Sequence, residues 1–371
     1  MEISAVATLT TQVLWAGFII SVAFGAITQR THFCTMGAVS DIVTMGDWTR
    51  MRMWGMAIGV AMIGFFGLAS AGLIDPSKTL YASNRLLWLS GLVGGVLFGF
   101  GMVLASGCGS KTLVRIGGGS LKALVVFIVM GVTAFATLKG ITAVLRVATV
   151  DRAAIEFTTT AALPNWLGSA MGISPVIAGL GLALVMGLGL IAWALSGAGF
   201  RSFDNVLGGL GIGAVVTAMW WVSGHLGHLA EHPETLEQTF LATNSGRAEA
   251  FSFVAPFAYT LDWLMFFSDK SKLLTLGIVS VFGVVTGSAM VSLWSRSFRW
   301  EGFRDAKDTA NHLIGATLMG VGGVVAMGCT VGQGLSGIST LSAMSFIVIA
   351  SIVTGATAGL RFQIWRLERA N

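Results

Sequence analysis

Between Asp308 and Arg361 the chain runs for 52 residues without an Asp, Glu, Lys or Arg. Soluble domains carry about 25% charged residues, so a gap this long does not belong to one. A helix that crosses a bilayer needs about 20 apolar residues. The gap therefore holds two crossings and the turn between them. That turn, GCTVGQGLSGIST (328–340), is small, polar and uncharged. Irregular backbone at membrane depth survives only where protein buries it or where it lines a cavity. The turn is expected to dip inward. The rest of the chain agrees, at 54% hydrophobic and 11% charged, with mean hydropathy +0.81.

Apolar runs place nine spans near 11–29, 53–74, 86–106, 121–138, 173–195, 203–222, 273–294, 309–327 and 341–360. The fold class is an all-α integral membrane protein of about nine transmembrane helices. Residues 255–268 are too short to cross and read as a partial insertion. Glycine is 50 of 371 residues, about twice the usual ~7%. Pairs such as Gly55/Gly59, Gly91/Gly95/Gly99, Gly283/Gly287 and Gly355/Gly359 read as close helix packing. The N-terminus has Glu2 and no basic region, so no cleavable signal peptide is expected. With nine spans the termini face opposite sides. Placing the C-terminus in the cytoplasm puts fourteen of the 22 Lys and Arg inside, as the positive-inside rule demands. The 223–260 loop then lies outside, with Glu231, Glu234, Glu237 and Glu249 against one Arg247.

The scattered cations behind the net charge of +5 argue against nucleic-acid binding. Neither a Ser/His/Asp order nor paired intramembrane carboxylates nor an HExxH motif is present, so enzyme chemistry is unsupported. The spacing of His225, His228 and His232 suits a metal on a helix, but a matching carboxylate arrangement is missing. No cofactor or metal is expected. Three cysteines, at 34, 108 and 329, form no C-x-x-C pair, which excludes a disulfide framework and a zinc site.

GMVLASGC (101–108) aligns with GGVVAMGC (322–329) at an offset of 221, with five of eight positions identical. Five spans separate the two cysteines, so the two turns are expected to come from opposite faces. Inverted repeats with broken helices are a transporter signature. One domain, 1–371, would then consist of halves 1–140 and 173–371.

Cys108 lies between Gly107 and Gly109, and Cys329 follows Gly328. A lone membrane cysteine is ordinarily a small apolar filler. Two at one repeat position in glycine-rich turns point further. A thiol is a weak donor with a soft, polarisable sulfur, suited to a polarisable ligand that must bind and move on. Cys34 follows a basic helix end, making three single cysteines in three membrane-edge loops. Lys111 and Arg115 either anchor their loop at the interface or attract an anion. The string GSKT is no phosphate loop, because Ala105 and Ser110 stand where glycines are required. In the stretch Thr330–Thr340, glycines free backbone amides to point inward, and Gln333, Ser336, Ser339 and Thr340 add uncharged donors.

RTHFCTMGAVSD (30–41), GMVLASGCGSKTLVRIGGG (101–119) and LMGVGGVVAMGCTVGQGLSG (318–337) resemble the YeeE/YedE family of bacterial inner-membrane proteins. Better-understood members of that family take up thiosulfate. The resemblance covers nearly the whole chain. It implies short helices and inward-dipping loops beside the spans, in an hourglass profile. It also implies an anion passed along cysteines whose S–H groups hydrogen-bond its sulfur. Cys34, Cys108 and Cys329 occupy the matching positions. Gly107, Gly109, Lys111, Arg115, Gly328, Thr330 and Gln333 surround them as candidate substrate-binding residues. Some members work with a small cytosolic sulfurtransferase-like protein. This chain ends eleven residues past its last expected span, so such a partner is expected as a separate chain. Other branches handle different sulfur or selenium species, and Lys111 with the glycines at 117–119 is where this chain would mark such a branch. The alternatives are transport of another sulfur or selenium species or of a soft metal ion, and a membrane thiol enzyme handling sulfur.

Overall fold

The computed structural model describes residues 3–369. Met1, Glu2, Ala370 and Asn371 lie outside the described residues, and with them the Glu2 of the signal-peptide argument. A helix apolar on every side is stable only where lipid or other helices surround it, and this chain makes many. In order they are α1 (Ile3–Thr31), α2 (Thr35–Met45), α3 (Thr49–Ser70), α4 (Trp88–Leu104), α5 (Gly109–Gly117), α6 (Leu121–Lys139), α7 (Ile141–Ala148) and α8 (Leu163–Met171). Then follow α9 (Pro175–Leu195), α10 (Phe203–Val206), α11 (Ile212–Trp221), α12 (Val254–Met265), α13 (Leu276–Trp294), α14 (Ala306–Val325) and α15 (Ala343–Glu368). A π turn at Leu207–Gly211 fuses α10 and α11 into one rod, Phe203–Leu226.

Eight helical stretches among the described residues are long and apolar enough to cross a membrane. Helix α14 is as long, but Lys307, Asp308, Asn311 and His312 in its first turns keep it out of that set. Each of the nine expected spans falls on one of these nine elements. Side chains such as Trp15, Ile19, Val185, Met290 and Trp294 point outward from them, as a lipid-facing surface requires. This is a multi-pass membrane protein.

Two ends can be told apart. The basic end carries the turns at 46–48, 118–120, 196–202 and 295–305. There Lys122, almost fully buried, pairs with Glu301 (3.2 Å) and Asp308 (3.0 Å). The ribbon end carries two short antiparallel ribbons, β1 (Arg85–Leu86) with β2 (Ile155–Glu156) and β3 (His228–Leu229) with β4 (Thr239–Phe240). Helix α12 starts deep in the bundle, where Val254 packs at Gly323, and ends near Lys272, which bonds Asp262 at 2.6 Å. At 12 residues it is too short to cross, matching the partial insertion expected at 255–268.

Lipid tails are as apolar as leucine, so membrane helices associate by close backbone approach at small residues. The seam between α4 and α14 does this reciprocally. A Cβ on Gly101 would lie 2.7 Å from Gly315 O and 2.9 Å from Leu318 Cβ. A Cβ on Gly322 would lie 2.7 Å from Gly94 O and 2.9 Å from Leu97 Cβ. Gly94, Leu97 and Gly101 are the residues 221 positions before Gly315, Leu318 and Gly322. Each contact thus recurs with the roles exchanged, and the two helices run antiparallel. The other glycine pairs read as packing also face neighbouring helices, Gly59 against Gly187 and Gly95 against Ser351 among them.

Candidate functional site

All three cysteines follow the same backbone device. The preceding helix ends on a residue in the left-handed region: His32 (φ 53°), Ser106 (φ 57°) and Met327 (φ 55°). The cysteine comes two residues later. Glycine ordinarily takes this helix-ending position, and holding another residue there costs roughly 1–3 kcal/mol. At the two repeat turns the same bonds close the helix. Gly107 N–H donates to Met102 O (2.8 Å) and Ser106 N–H to Val103 O (3.2 Å). Gly328 N–H donates to Gly323 O (2.8 Å) and Met327 N–H to Val324 O (3.0 Å). His32, Ser106 and Met327 are exposed between buried neighbours, while all three thiols are buried and free.

Each cysteine then starts a short helix. Gly37 N–H donates to Cys34 Sγ at 3.4 Å, and Gly332 N–H to Cys329 Sγ at 3.3 Å. Cys108 Sγ instead lies 3.3 Å from Ser110 Oγ. The helices they open are α2, α5 and the stretch 330–339, which contains a π turn at Gly332–Gly337. The last of these was expected as an irregular turn and is helical. Two side chains from elsewhere hold this stretch. Tyr81 Oη donates to Gly332 O at 2.5 Å, and Trp220 Nε1–H to Ser339 Oγ at 3.0 Å.

The helix starts converge. The Cys34 and Cys108 side chains meet, Cys108 faces Thr330, and Phe253 N–H at the start of α12 points at Cys329. Four helix N-termini therefore meet at one buried region, several of their first N–H groups already turned toward the thiols. That arrangement favours an anion without a fixed cation. Close contacts explain the glycines beside the thiols. A Cβ on Gly107 would press on the Lys111 stem at 3.1 Å, on Gly109 against Met130 at 3.3 Å, and on Gly328 against Gln333 at 3.0 Å.

The remaining candidates divide. Gln333 Nε2 donates to Ala326 O (3.1 Å) and Met327 O (2.9 Å), while its Oε1 accepts from Ser345 Oγ (2.6 Å). Its polar atoms hold the Cys329 turn in shape. Ser336, Ser339 and Thr340 likewise spend their hydroxyls on Phe251 O, Ser336 O and Gly337 O. Arg115 pairs with Glu301 at 3.3 Å and reaches Ser106 O at 3.4 Å. Lys111 has no ion pair among the described residues, and its charge faces Cys34 and His32. The histidine trio is dispersed, with His225 against Trp221, His228 against Phe240, and His232 accepting from Glu234 N–H.

Two cavities open near the Cys329 turn at the ribbon end, and both reach Met327. One, about 280 Å³, is lined by Arg85, Arg247, Tyr81 and Gln333. The other, about 260 Å³, is lined by Arg146, Glu249, Tyr259 and Gly328. Burial pushes the Glu249 carboxyl up to about 7. Nothing in the sequence marks Arg85 and Arg247 as neighbours, because the 79–85 and 241–250 segments are joined by tertiary contacts such as the Thr79–Ala248 bridge and the Arg247 bond to Ala82 O (2.8 Å).

Broken helices whose N-termini meet inside a bundle of membrane spans define a transport protein, not an enzyme. The model of the sulphur transport family matches residues 30–358, and the chain belongs to that family. It is 26% identical over 347 residues to the thiosulfate transporter TsuA of Escherichia coli (strain K12), covering 92% of each chain. It is 26% identical over 356 residues to the thiosulfate transporter TsuA of Spirochaeta thermophila, covering 92% of this chain and 96% of that one. A shorter match, 28% identical over 104 residues, is to the probable transporter YedE of Escherichia coli (strain K12), covering 28% of this chain and 24% of that protein.

Proposed function

We propose that this chain carries thiosulfate across the bacterial inner membrane into the cytoplasm, passing it from Cys329 to Cys108 to Cys34. The meeting of three cysteine-capped helix starts in one buried region carries the reading. The relatives named as thiosulfate transporters, similar over nearly the whole chain, support the substrate. In this reading the ribbon end and the N-terminus face outward, and the basic end and the C-terminus face the cytoplasm. The halves 1–140 and 173–371 form an inverted repeat, which the reciprocal α4–α14 contacts support.

The chemistry follows from the cost of charge in a bilayer. A fixed cation at the centre would bind a dianion too tightly to release it. Thiol S–H groups and helix N-termini replace part of the hydration shell with weak, successive sites. The terminal sulfur of thiosulfate is the soft end that a thiol matches. Lys111, unpaired beside Cys34, draws the anion toward the cytoplasmic exit, whereas Arg115 anchors α5 to Glu301. A cytosolic sulfurtransferase-like protein receives the anion at the basic end.

Uptake of radiolabelled thiosulfate into proteoliposomes tests the reading, with sulfate as the control. Purified protein should take up thiosulfate and discriminate against sulfate. Cys108→Ala and Cys329→Ala should each abolish uptake while still reaching the membrane. Normal transport by both variants would end the cysteine pathway.

A further inference from the structure

A thiol relay accounts for one end of a thio-oxyanion. The other end carries three oxygens, which need hard donors. The polar side chains of 333–340 are occupied within the protein, as described above. Buried donors left without partners are rare in folded proteins, and each asks for an explanation. Six side-chain nitrogen or oxygen atoms among the described residues are buried with no hydrogen-bond partner, one of them, Arg146 Nε, still ion-paired with Asp151 at 3.1 Å. Two of the others, on Thr35 and Thr330, belong to residues at the cysteine turns, and a third, on Trp54, lies against one.

Thr35 follows Cys34 and is 5% exposed, and its Oγ1 has no partner. Thr330 follows Cys329 and is fully buried, and its Oγ1, with no hydrogen-bond partner, lies toward the Cys108 thiol. Trp54, on α3, is 5% exposed, and its Nε1–H has no partner. Its ring stacks on Phe33, the residue before Cys34, with centroids 4.8 Å apart. On another side it packs at Gly334, where an added Cβ would lie 3.1 Å from Trp54 Cζ3. Trp54 is thus wedged between the Cys34 turn and the helix that Cys329 opens. A phenylalanine would fill that wedge nearly as well, so packing alone does not explain the indole.

We infer that Thr35, Trp54 and Thr330 are the hard donors of this pathway, and that they hold the sulfonate-like oxygens of the anion while the thiols hold its sulfur. The inference rests on the proposed thiosulfate reading and deepens it. The two sets of groups divide recognition by chemistry. Thiols select a soft terminal atom, and the hydroxyl and indole donors select a trigonal array of oxygens. An anion with only one of these ends would satisfy half of the site and leave the other half desolvated and unpaired, which disfavours it.

The test uses full-length protein in proteoliposomes, with initial rates of radiolabelled thiosulfate uptake. Thr330→Val and Thr35→Val remove a hydroxyl at nearly constant volume, and Trp54→Phe removes the N–H but keeps an aromatic ring. Losing one hydrogen bond to a charged group should raise KM about tenfold in each variant. Thr330→Ser, which keeps the hydroxyl, should restore KM to within about twofold of the parent. Methanesulfonate, with three oxygens and no terminal sulfur, serves as the competing probe. Its inhibition of parental uptake should weaken in the same variants and return in Thr330→Ser. A purely structural role would lower Vmax and the folded fraction on gel filtration without moving the methanesulfonate inhibition constant. Parental KM and parental inhibition in Trp54→Phe and Thr35→Val would overturn the inference, even if Thr330→Val fails to fold. No thiosulfate uptake by the parental protein would instead overturn the substrate reading itself.

Discussion

The Cys108 and Cys329 turns share one backbone and differ in what their helices carry. Both close a long helix with the same two bonds, both put a non-glycine residue in the left-handed region, and both start a short helix at the thiol. Beyond that point the 221-residue offset aligns Lys111 with Gly332 and Arg115 with Ser336. One helix bears two cations; its counterpart bears none and is held by Tyr81, Trp220 and Gln333 instead. Backbone geometry therefore sets where the thiols sit. Side chains off that backbone make one end of the path different from the other. Under the proposed reading, this difference is what tells the two ends of the path apart.

The largest effect should come from replacing the soft donor while keeping the cap. Serine caps helices well, so Cys108→Ser and Cys329→Ser should fold as the parent does. Their thiosulfate uptake should still fall more than about tenfold, because a hydroxyl is a hard group against a soft sulfur. If uptake persists in both, the thiols serve only as caps and the likeness of the two turns is structural.

Next come the two cations that break the likeness. Lys111→Gln should raise KM about fivefold at low salt and less at high salt, with no change in thermal unfolding, as expected for an unpaired guiding charge. Arg115→Gln should do the reverse. It should lower the unfolding midpoint in detergent by breaking the Glu301 pair, with little change in KM. Identical behaviour of the two variants would erase the distinction drawn between them.

At the ribbon end, Glu249 offers a pH readout. Its carboxyl titrates at about 7 rather than at the usual 4.5, because burial disfavours the charged form. The folded protein then binds this proton more tightly than the unfolded chain. Stability from this group is full below about pH 4.5, is lost as pH rises toward 7, and stays lost above it. Glu249→Gln should match the parent near pH 4.5 and unfold about 2–4 °C later at pH 8. A midpoint difference independent of pH would rule out a buried titrating carboxyl there.

The smallest effects concern the left-handed residues. Ser106→Gly and Met327→Gly relieve backbone strain but loosen the unfolded chain. Each should stabilise the protein by about 0.5 kcal/mol in denaturant titration. Unequal responses would show that one of the two like turns is under more strain than the other.

The spans were legible because lipid imposes a simple rule, and each expected run became a helix, α14 included. The likeness of 101–108 to 322–329 was legible because positions such as Gly101 and Gly322 are fixed by close packing, which leaves a mark in sequence. The strained positions were not. The expected spans end at 106 and 327, where the chain does turn, but nothing in the sequence marks Ser106 and Met327 as left-handed. The division between Lys111 and Arg115 was also hidden, since the Glu301 that decides it lies 186 residues from Arg115. Gln333 looked like a ligand donor for the same reason. Its hydrogen bonds to the Cys329 turn exist only once the chain is folded around it. Trp54 carried no signal at all, being one of 12 tryptophans in a chain rich in aromatic residues.

The α4–α14 seam has a mechanical consequence. Backbone meets backbone there at Gly94, Gly101, Gly315 and Gly322, with no side chain between to act as a bearing. A slide of one residue would drive Leu97, Phe98 or Leu318 into the space that a glycine now leaves. The two helices are riveted. In the proposed transport, sliding α4 along α14 would have to break this contact first, so the cheaper motions are side-chain rotations at the edge of the frame, such as that of exposed Met327.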